Sequence, residues 1–171
     1  MGKIVCNLAT SVDGFIADEN GGVDWLNDFQ AEDYGMIDFF EQCGTAIMGS
    51  KTYEQALSFN SWFGKMEGVV FTSRKLPPFN DEKINFFSGD PRPVVEQLHK
   101  KEKDSWLVGG GQLITSFIDL HLLDELIITM VPRLLGRGLA LCPSIKEVGN
   151  LQLLDSKAHT DGVLQMRYRV F

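Results

Sequence analysis

The stretch 107-LVGGGQLITSF-117 joins an apolar run to a helical pattern through three consecutive glycines. The run "SWLVG" (105–109) predicts a buried strand, and "QLITSFIDLHLL" (112–123) predicts a helix. In open α/β sheets, ligands bind where strands end and helices begin. The triplet alone has two equally good explanations: a tight packing turn, or a backbone that comes close to a dinucleotide. It matches neither G-x-G-x-x-G nor the GK[ST] ending of a phosphate-binding loop, which excludes those two fingerprints.

Short apolar runs and helical patterns alternate along the whole chain, with no internal repeat. Strands are predicted over 3–9, 45–49, 68–73, 84–88, 105–109 and 124–132, and helices over 31–43, 50–57, 91–103 and 112–123. The last stretch, 162–171, alternates apolar and polar residues, which is typical of a half-buried antiparallel strand, and Asp161-Gly162 before it suits a hairpin turn. These patterns predict an α/β fold in a single domain, 1–171, with a mixed, mostly parallel sheet.

Composition narrows the class of protein and of partner. Hydrophobic residues make up 44% of the 171 residues, charged residues 23%, and the formal net charge is -7. An acidic chain repels phosphate backbones, so nucleic acid is disfavoured as a partner. The apolar runs are too short to span a bilayer and the N-terminus lacks signal-peptide features, so we expect a cytoplasmic protein without membrane contact. Three cysteines and three histidines are scattered, which predicts neither a disulfide framework nor a metal site.

Two further strand ends carry side chains that suit phosphate. "MGSKT" (48–52) places Ser50, Lys51 and a second hydroxyl at a helix start, where free N–H groups bind anions; alternatively, Ser50 is only an N-cap and the lysine is solvated. "FTSRK" (71–75) places a guanidinium beside two hydroxyls, a group that can hold the 2′-phosphate of NADPH; by itself it also fits a plain polar loop. Together with the glycine triplet, the three strand ends favour a dinucleotide site.

The stretch 11-SVDGFIADENGGVDWL-26 is rich in turn-forming residues but also carries Ile16 and Trp25. It fits a hairpin-like surface loop. It equally fits a glycine-hinged loop that closes over a flat ring and excludes water.

The order of these motifs resembles the dihydrofolate reductase superfamily. "SVDGFIADENGGVDW", "AIMGSKTYE", "VVFTSRK" and "LVGGGQLI" follow one another as they do there, over nearly the whole chain. "SVDGFIA" and "VPRLLGRGLALCP" (131–143) are more similar to the branch related to the reductase domain of bacterial riboflavin biosynthesis. The resemblance implies a dihydrofolate reductase-like three-layer sandwich with a mixed, mostly parallel central sheet and an antiparallel C-terminal hairpin. It also implies a homodimer.

The resemblance also implies a cofactor, NADPH, and the residues that bind it. Its pyrophosphate contacts fall on the glycine triplet, its phosphates on the "MGSKT" helix start, its adenosine ribose and 2′-phosphate on the "FTSRK" loop, and its nicotinamide near the first strand. The implied cofactor-binding residues are Ala9, Ile16, Gly49, Ser50, Lys51, Thr52, Thr72, Ser73, Arg74, Gly109, Gly110, Gly111, Gln112, Leu113 and Ile114.

Substrate and proton donor are implied less directly. The acid that dihydrofolate reductases carry early in their first helix corresponds to Asp33, which a raised pKa would make a proton donor; alternatively, "AEDYG" is only an acidic first helical turn. Trp25 matches the tryptophan that closes the glycine-rich loop, and Asp13 is another polar contact for substrate. Arg133 and Arg137 are placed to bind a substrate phosphate, or are ordinary exposed loop arginines.

These observations favour an NADPH-dependent reductase of an aminopyrimidine or pterin-like small molecule. The resemblance points most to 5-amino-6-(5-phosphoribosylamino)uracil reductase of riboflavin biosynthesis, although the chain carries no fused deaminase, which leaves the substrate open. The alternatives are a true dihydrofolate reductase, a nucleotide-binding module without turnover, and a structural α/β domain whose glycines only pack.

Overall fold

Strands and helices alternate along the chain, as the sequence patterns predict. The computed structural model describes residues 1–29, 32–80 and 83–171. Its elements are β1 (Ile4–Ser11), β2 (Phe15–Ala17), α1 (Met36–Gln42), β3 (Cys43–Gly49), α2 (Ser50–Phe59), β4 (Glu67–Phe71), β5 (Ile84–Phe87), α3 (Arg92–His99), β6 (Asp104–Gly109), α4 (Gly111–Asp119), β7 (Glu125–Val131), β8 (Leu139–Ala140), β9 (Leu151–Ala158) and β10 (Leu164–Val170), with a 3-10 turn at Asp24–Leu26.

The central sheet has the strand order β5-β4-β3-β6-β1-β7-β10-β9. The six strands from β5 to β7 are parallel to their neighbours, whereas β10 runs antiparallel to both β7 and β9. The short strands β2 and β8 form a separate antiparallel pair. The predicted mixed, mostly parallel sheet with an antiparallel C-terminal hairpin is therefore confirmed.

Helices cover the sheet on both faces, which is why the central strands are continuous apolar runs. On one face α3 and α4 pack through Val95, Leu98, Ile114 and Phe117. On the other face α1 and α2 pack through Phe39 and Tyr53 around Trp106 of β6. Two helical layers on one sheet make the three-layer sandwich.

Some predicted boundaries are wrong, most of all at the first helix. The sequence pattern predicts a helix over 31–43, but α1 begins at Met36; Ala31 lies outside the described residues. Tyr34 and Gly35 have φ values of 49° and 75°, and this left-handed backbone keeps the helix from starting earlier. Helices predicted over 91–103 and 112–123 also end early, at His99 and Asp119.

Strand β9 was not predicted at all. All eight of its residues are exposed, and "LQLLDSKA" lacks the apolar-polar alternation of a half-buried strand. It exists because β10 pairs with it along its length.

The parallel strands place their carboxyl ends along one edge of the sheet. Ser11, Gly49, Phe71, Gly109 and Val131 therefore end five strands on the same side. This edge carries the motifs that the sequence singles out. Among the described residues, the helices are all too short or too polar to cross a bilayer.

Candidate functional site

The three glycines of the opening stretch serve three different purposes. Gly109 has a φ of 129°, which only glycine adopts readily. A Cβ on Gly111 would lie 2.5 Å from the carbonyl oxygen of Ala140, so Gly111 is required for packing against the loop after β8. Gly110 has an ordinary extended backbone, φ -70°, and forms the N-cap of α4. Of the triplet, Gly110 is the residue whose missing side chain leaves space in front of the helix.

Gly110 lies beside the start of a second helix. β3 and β6 are neighbours, with Met48 paired to Gly109, so α2 and α4 begin side by side. A Cβ on Gly110 would lie 3.7 Å from Thr52 Oγ1, and a Cβ on Gly49 would meet nothing within 4 Å. We call this space, between Gly49–Thr52 and Gly110, the glycine cleft.

The glycine cleft offers donors to an anion from both sides. The first N–H groups of a helix have no partner within the helix, and its dipole favours negative charge there. Two such helix ends meet here, together with the hydroxyls of Ser50 and Thr52 and the exposed ammonium of Lys51. Backbone donors, hydroxyls and a lysine are the groups that bind a pyrophosphate.

The "FTSRK" loop after β4 holds its arginine against a carboxylate. Arg74 donates from Nη1 to Glu54 Oε1 at 3.0 Å and from Nη2 to Glu54 Oε2 at 2.7 Å. These hydrogen bonds lower the pKa of Glu54 and raise the pKa of Arg74. The backbone N–H of Arg74 also donates to Thr72 Oγ1 at 3.0 Å, which shapes the loop, while Ser73 is exposed. No local sequence pattern singles out Glu54.

The remaining predicted cofactor residues differ in their surroundings. Ala9 on β1 and Ile16 on β2 are half-buried, and Gln112 is exposed at the start of α4. Leu113 is partly buried against the core. Ile114 is fully buried in the core, with its Cδ1 3.6 Å from the position of a Cβ on Gly109. That Ile114 lines the cofactor stays a prediction.

Asp13 binds the loop after β7. Its carboxylate accepts N–H groups of Leu135 at 3.1 Å and Gly136 at 2.7 Å. A hydrogen bond from Ser11 is the largest cause that lowers the pKa of Asp13, to about 2, and the two backbone donors add to it. Asp13 is thus ionised and holds this loop in place.

The two predicted substrate arginines also join loops in this structure. Arg133 pairs with Asp28 and lies 5.4 Å from the ring centre of Phe29. Arg137 Nε lies 3.2 Å from Glu19 Oε2. Both pairs link the loop after β7 to the loop that contains Trp25. The indole of Trp25 is half-buried, and its Nε1 has no hydrogen-bond partner within the described part of the chain.

Asp33 caps helix α1. Its carboxylate accepts the N–H of Ile37 at 3.2 Å and of Gly35 at 3.3 Å. These two backbone bonds lower the pKa of Asp33. The expectation of a desolvated carboxyl with a raised pKa is therefore wrong, because the side chain is exposed and already hydrogen-bonded in its charged form.

A cavity of about 180 Å³ lies between α1 and strands β1, β7, β9 and β10. We call it the amide cavity; its lining includes Asn7, Tyr34, Asp38, Phe39, Ile127 and Gln165. Asn7 is buried, and its Nδ2 lies 3.4 Å from Met36 Sδ.

Gln165 is fixed at the wall of the amide cavity. Its Nε2 donates to Thr129 Oγ1 and to the Tyr34 carbonyl, both at 3.0 Å. Sequence reasoning missed Asn7 and Gln165. The available signal was an asparagine inside the apolar run "KIVCNLA" and a glutamine on the polar side of the last strand. Since alternate residues of a strand share a face, Asn7 lies about 7 Å from Ala9 on the α1 side of the sheet.

Comparisons with known proteins agree with this architecture. A sequence model described as the RibD C-terminal domain matches residues 58–165. The uncharacterized protein YwjB of Bacillus subtilis (strain 168) is 34% identical over 170 residues, 97% of each chain.

Solved structures share the fold over the whole chain. A putative riboflavin biosynthesis protein from Shewanella sp. PV-4 superposes with a TM-score of 0.87 at 28% identity, covering 100% of this chain and 99% of that one. Dihydrofolate reductase from Enterococcus faecalis, complexed with NADP(H), superposes with a TM-score of 0.68 at 18% identity, covering 99% and 96%. The fold is thus dihydrofolate reductase-like, and the chain belongs to the RibD C-terminal domain family of reductase-like proteins.

Proposed function

We propose that this protein is an NADPH-dependent reductase of an aminopyrimidine, most like 5-amino-6-(5-phosphoribosylamino)uracil. The observation that carries the proposal is the glycine cleft and the amide cavity lying at neighbouring strands, with Ala9 of β1 next to Asn7 of the cavity. A dinucleotide site beside a cavity with hydrogen-bonding amides suits hydride transfer to a polar heterocycle. Membership of the RibD C-terminal domain family supports the same reaction class.

The residues of the glycine cleft fit the cofactor. Gly49, Ser50, Lys51 and Thr52 would bind the phosphates from one side, and Gly110 with the start of α4 from the other. The space in front of Gly49 and Gly110 is the room that a pyrophosphate needs. When bound, NADPH supplies a hydride; the chain's own residues bind it, orient it and keep water from it.

The substrate ring is proposed to bind in the amide cavity. Asn7 and Gln165 are neutral amides that both donate and accept hydrogen bonds, as the N–H and C=O edges of a pyrimidinedione also do. The Asp33 carboxylate, by contrast, accepts backbone N–H groups at the start of α1. The two amides therefore support an aminopyrimidine as the substrate; the charged residues Asp38, Asp104, Asp155, Lys157 and Arg167 also line the cavity.

A proton must accompany the hydride. Asp33 is a poor source, because its lowered pKa keeps it ionised at neutral pH. Asp38, in the first turn of α1, lines the amide cavity. We propose that solvent entering this cavity supplies the proton.

The test is NADPH oxidation by the purified chain with a panel of acceptors. The panel contains 5-amino-6-(5-phosphoribosylamino)uracil, its dephosphorylated form, dihydrofolate and a dihydropterin. Oxidation that depends on an aminopyrimidine supports the proposal. Turnover of dihydrofolate alone would indicate that the protein is a dihydrofolate reductase instead. Tight NADPH binding without turnover of any acceptor indicates a binding module instead.

A further inference from the structure

Glu54 holds the arginine that the dinucleotide site would use. Its two carboxylate oxygens accept the two terminal nitrogens of Arg74, a side-by-side arrangement that occupies one edge of the guanidinium. Both side chains are about half exposed, at 42% and 52%, so the pair is open to solvent and to a ligand.

The position of the pair is set by the fold. Glu54 lies in the second turn of α2, just behind the Ser50–Thr52 start of the helix, and Arg74 lies two residues beyond Thr72. β3 and β4 are parallel neighbours, with Gly49 paired to Phe71, so the start of α2 and the "FTSRK" loop lie at the same sheet edge. A dinucleotide with its pyrophosphate in the glycine cleft therefore extends its adenosine toward this pair.

A carboxylate at this point affects NADPH and NADH differently. The 2′-phosphate of NADPH carries a charge near -2 and binds guanidinium donors, two of which Glu54 already occupies. Glu54 competes for that edge and repels the phosphate. The 2′-hydroxyl of NADH is neutral and can donate a hydrogen bond to a carboxylate, as acidic residues do in NAD sites.

We propose that Glu54 is a specificity-determining residue that lowers the preference of this protein for NADPH over NADH by competing with the 2′-phosphate for Arg74. The proposal rests on the proposed dinucleotide site. Glu54 acts here through Arg74, so the informative quantity is the ratio of the two dissociation constants rather than activity.

The experiment measures Kd for NADPH and for NADH on the full chain by quenching of tryptophan fluorescence. The variants are Glu54→Gln, Arg74→Gln and the double substitution. Glu96→Gln is the matched control, since it removes the same charge from an exposed position on α3, which packs on the other face of the sheet. Competition by adenosine 2′,5′-bisphosphate and by AMP tests the adenosine end alone.

Glu54→Gln is expected to raise the ratio of Kd for NADH to Kd for NADPH by about two- to fivefold, the range of an exposed ion pair. The ratio of Kd for AMP to Kd for adenosine 2′,5′-bisphosphate should rise by a similar factor. The gain should shrink as salt rises from about 50 to 500 mM. In the Arg74→Gln background the gain from Glu54→Gln should be smaller, because the variant has no guanidinium at position 74 for Glu54 to occupy. Glu96→Gln should leave the ratio as in the wild type.

An unchanged ratio in Glu54→Gln, with both dinucleotides still bound, overturns the role of Glu54 and leaves the proposed function standing. A wild-type chain that binds neither dinucleotide overturns both.

Discussion

Thr52 and Gly110 face each other across the glycine cleft, with the position of a Cβ on Gly110 at 3.7 Å from Thr52 Oγ1. They belong to different helices that begin at neighbouring strands, and together they set the width of the space between the two helix starts. A side chain at Gly110 would fill this space without meeting the protein core.

The first prediction concerns Gly110→Val. The backbone there is extended, so valine is tolerated, but its methyl groups enter the cleft. We expect a folded protein whose Kd for NADPH is weaker by about tenfold or more, because the excluded volume is where the pyrophosphate would lie. The measurement is fluorescence titration together with thermal melting.

Gly111→Val and Gly149→Val are the controls for this substitution. A Cβ on Gly111 meets the Ala140 carbonyl at 2.5 Å, so this variant should lose about 1–3 kcal/mol of stability by overpacking. Gly149 lies in an exposed loop, and its variant should keep both stability and affinity. Unchanged NADPH affinity in Gly110→Val would show that the glycine serves only the turn.

The second prediction concerns Asp33. Its folded pKa is lowered, so its contribution to stability is present above the unfolded pKa and is lost as pH falls through the folded pKa. Asp33→Ala should therefore melt at a lower temperature than the wild type at pH 7, and the difference should close at strongly acidic pH.

A second substitution at Asp33 distinguishes a capping role from a catalytic role. Asn also caps helices, so Asp33→Asn should restore most of the melting temperature and retain the rate of hydride transfer at neutral pH. A folded Asp33→Asn protein whose turnover falls a hundredfold or so, the scale of a lost general acid, would return Asp33 to the role of proton donor.

The third prediction concerns Asn7. Asn7→Leu keeps the branched shape of the side chain but removes the amide from the wall of the amide cavity. We expect KM for the aminopyrimidine to rise by about tenfold, the effect of one lost hydrogen bond to a buried polar partner, with Kd for NADPH unchanged. Steady-state kinetics and dinucleotide titration together check this. If NADPH affinity fell by the same factor as the rise in KM, Asn7 would not belong to the substrate site.

The fourth prediction concerns Glu125, which is buried between two cations. Its carboxylate accepts Lys3 Nζ at 2.6 Å and Arg167 Nε at 2.7 Å. Burial alone would raise the pKa of Glu125, but the bonds from Lys3 and Arg167 outweigh it and lower the pKa. Arg167→Met should cost about 1–3 kcal/mol of unfolding free energy at pH 7, because it leaves the buried carboxylate with one cation.

The pH dependence of the Glu125 contacts has a definite sign. With a lowered folded pKa, their contribution is complete above the unfolded pKa of about 4.3 and is lost as pH falls through the folded value. Urea unfolding at pH 7 and near pH 3 should therefore show a larger Arg167→Met effect at pH 7. Arg92→Met, which removes an exposed ion pair with Asp90 at the start of α3, is the control. An equal loss at both pH values would refute the ionic contribution.

The fifth prediction concerns assembly. Strand β9 is an edge strand with all residues exposed, and Leu151 and Leu153 are 47% and 55% exposed. An open edge with exposed leucines is a template for pairing with another chain. We propose that a second copy of this protein covers it.

Light scattering after gel filtration should then report a dimer. Leu153→Lys should shift it to the monomer, whereas Leu134→Lys, an equally apolar exposed position in the loop after β7, should leave the dimer intact. A monomeric wild type at micromolar concentration would exclude this interface.

Much of the fold follows from local signals in the sequence. The period of apolar residues marks the alternating strands and helices, and the alternation in 162–171 marks an antiparallel strand. The same signals identify three strand ends with glycine, hydroxyl or arginine side chains. These signals do not reveal strand β9, because none of its residues is buried and its sequence therefore carries no apolar period.

Local residue patterns are enough to identify "LVGGGQLITSF" as a strand-glycine-helix junction and to find two similar junctions beside it. Which glycine faces open space depends on tertiary contacts, because Gly111 is constrained by Ala140 of β8, which is distant in sequence. The tertiary structure also decided that Asp33 caps α1 and that Glu54 holds Arg74. The order of the strands and the placement of the helices bring side chains such as Glu54 and Arg74 together, and residues so far apart in sequence leave no local pattern that would predict the contact.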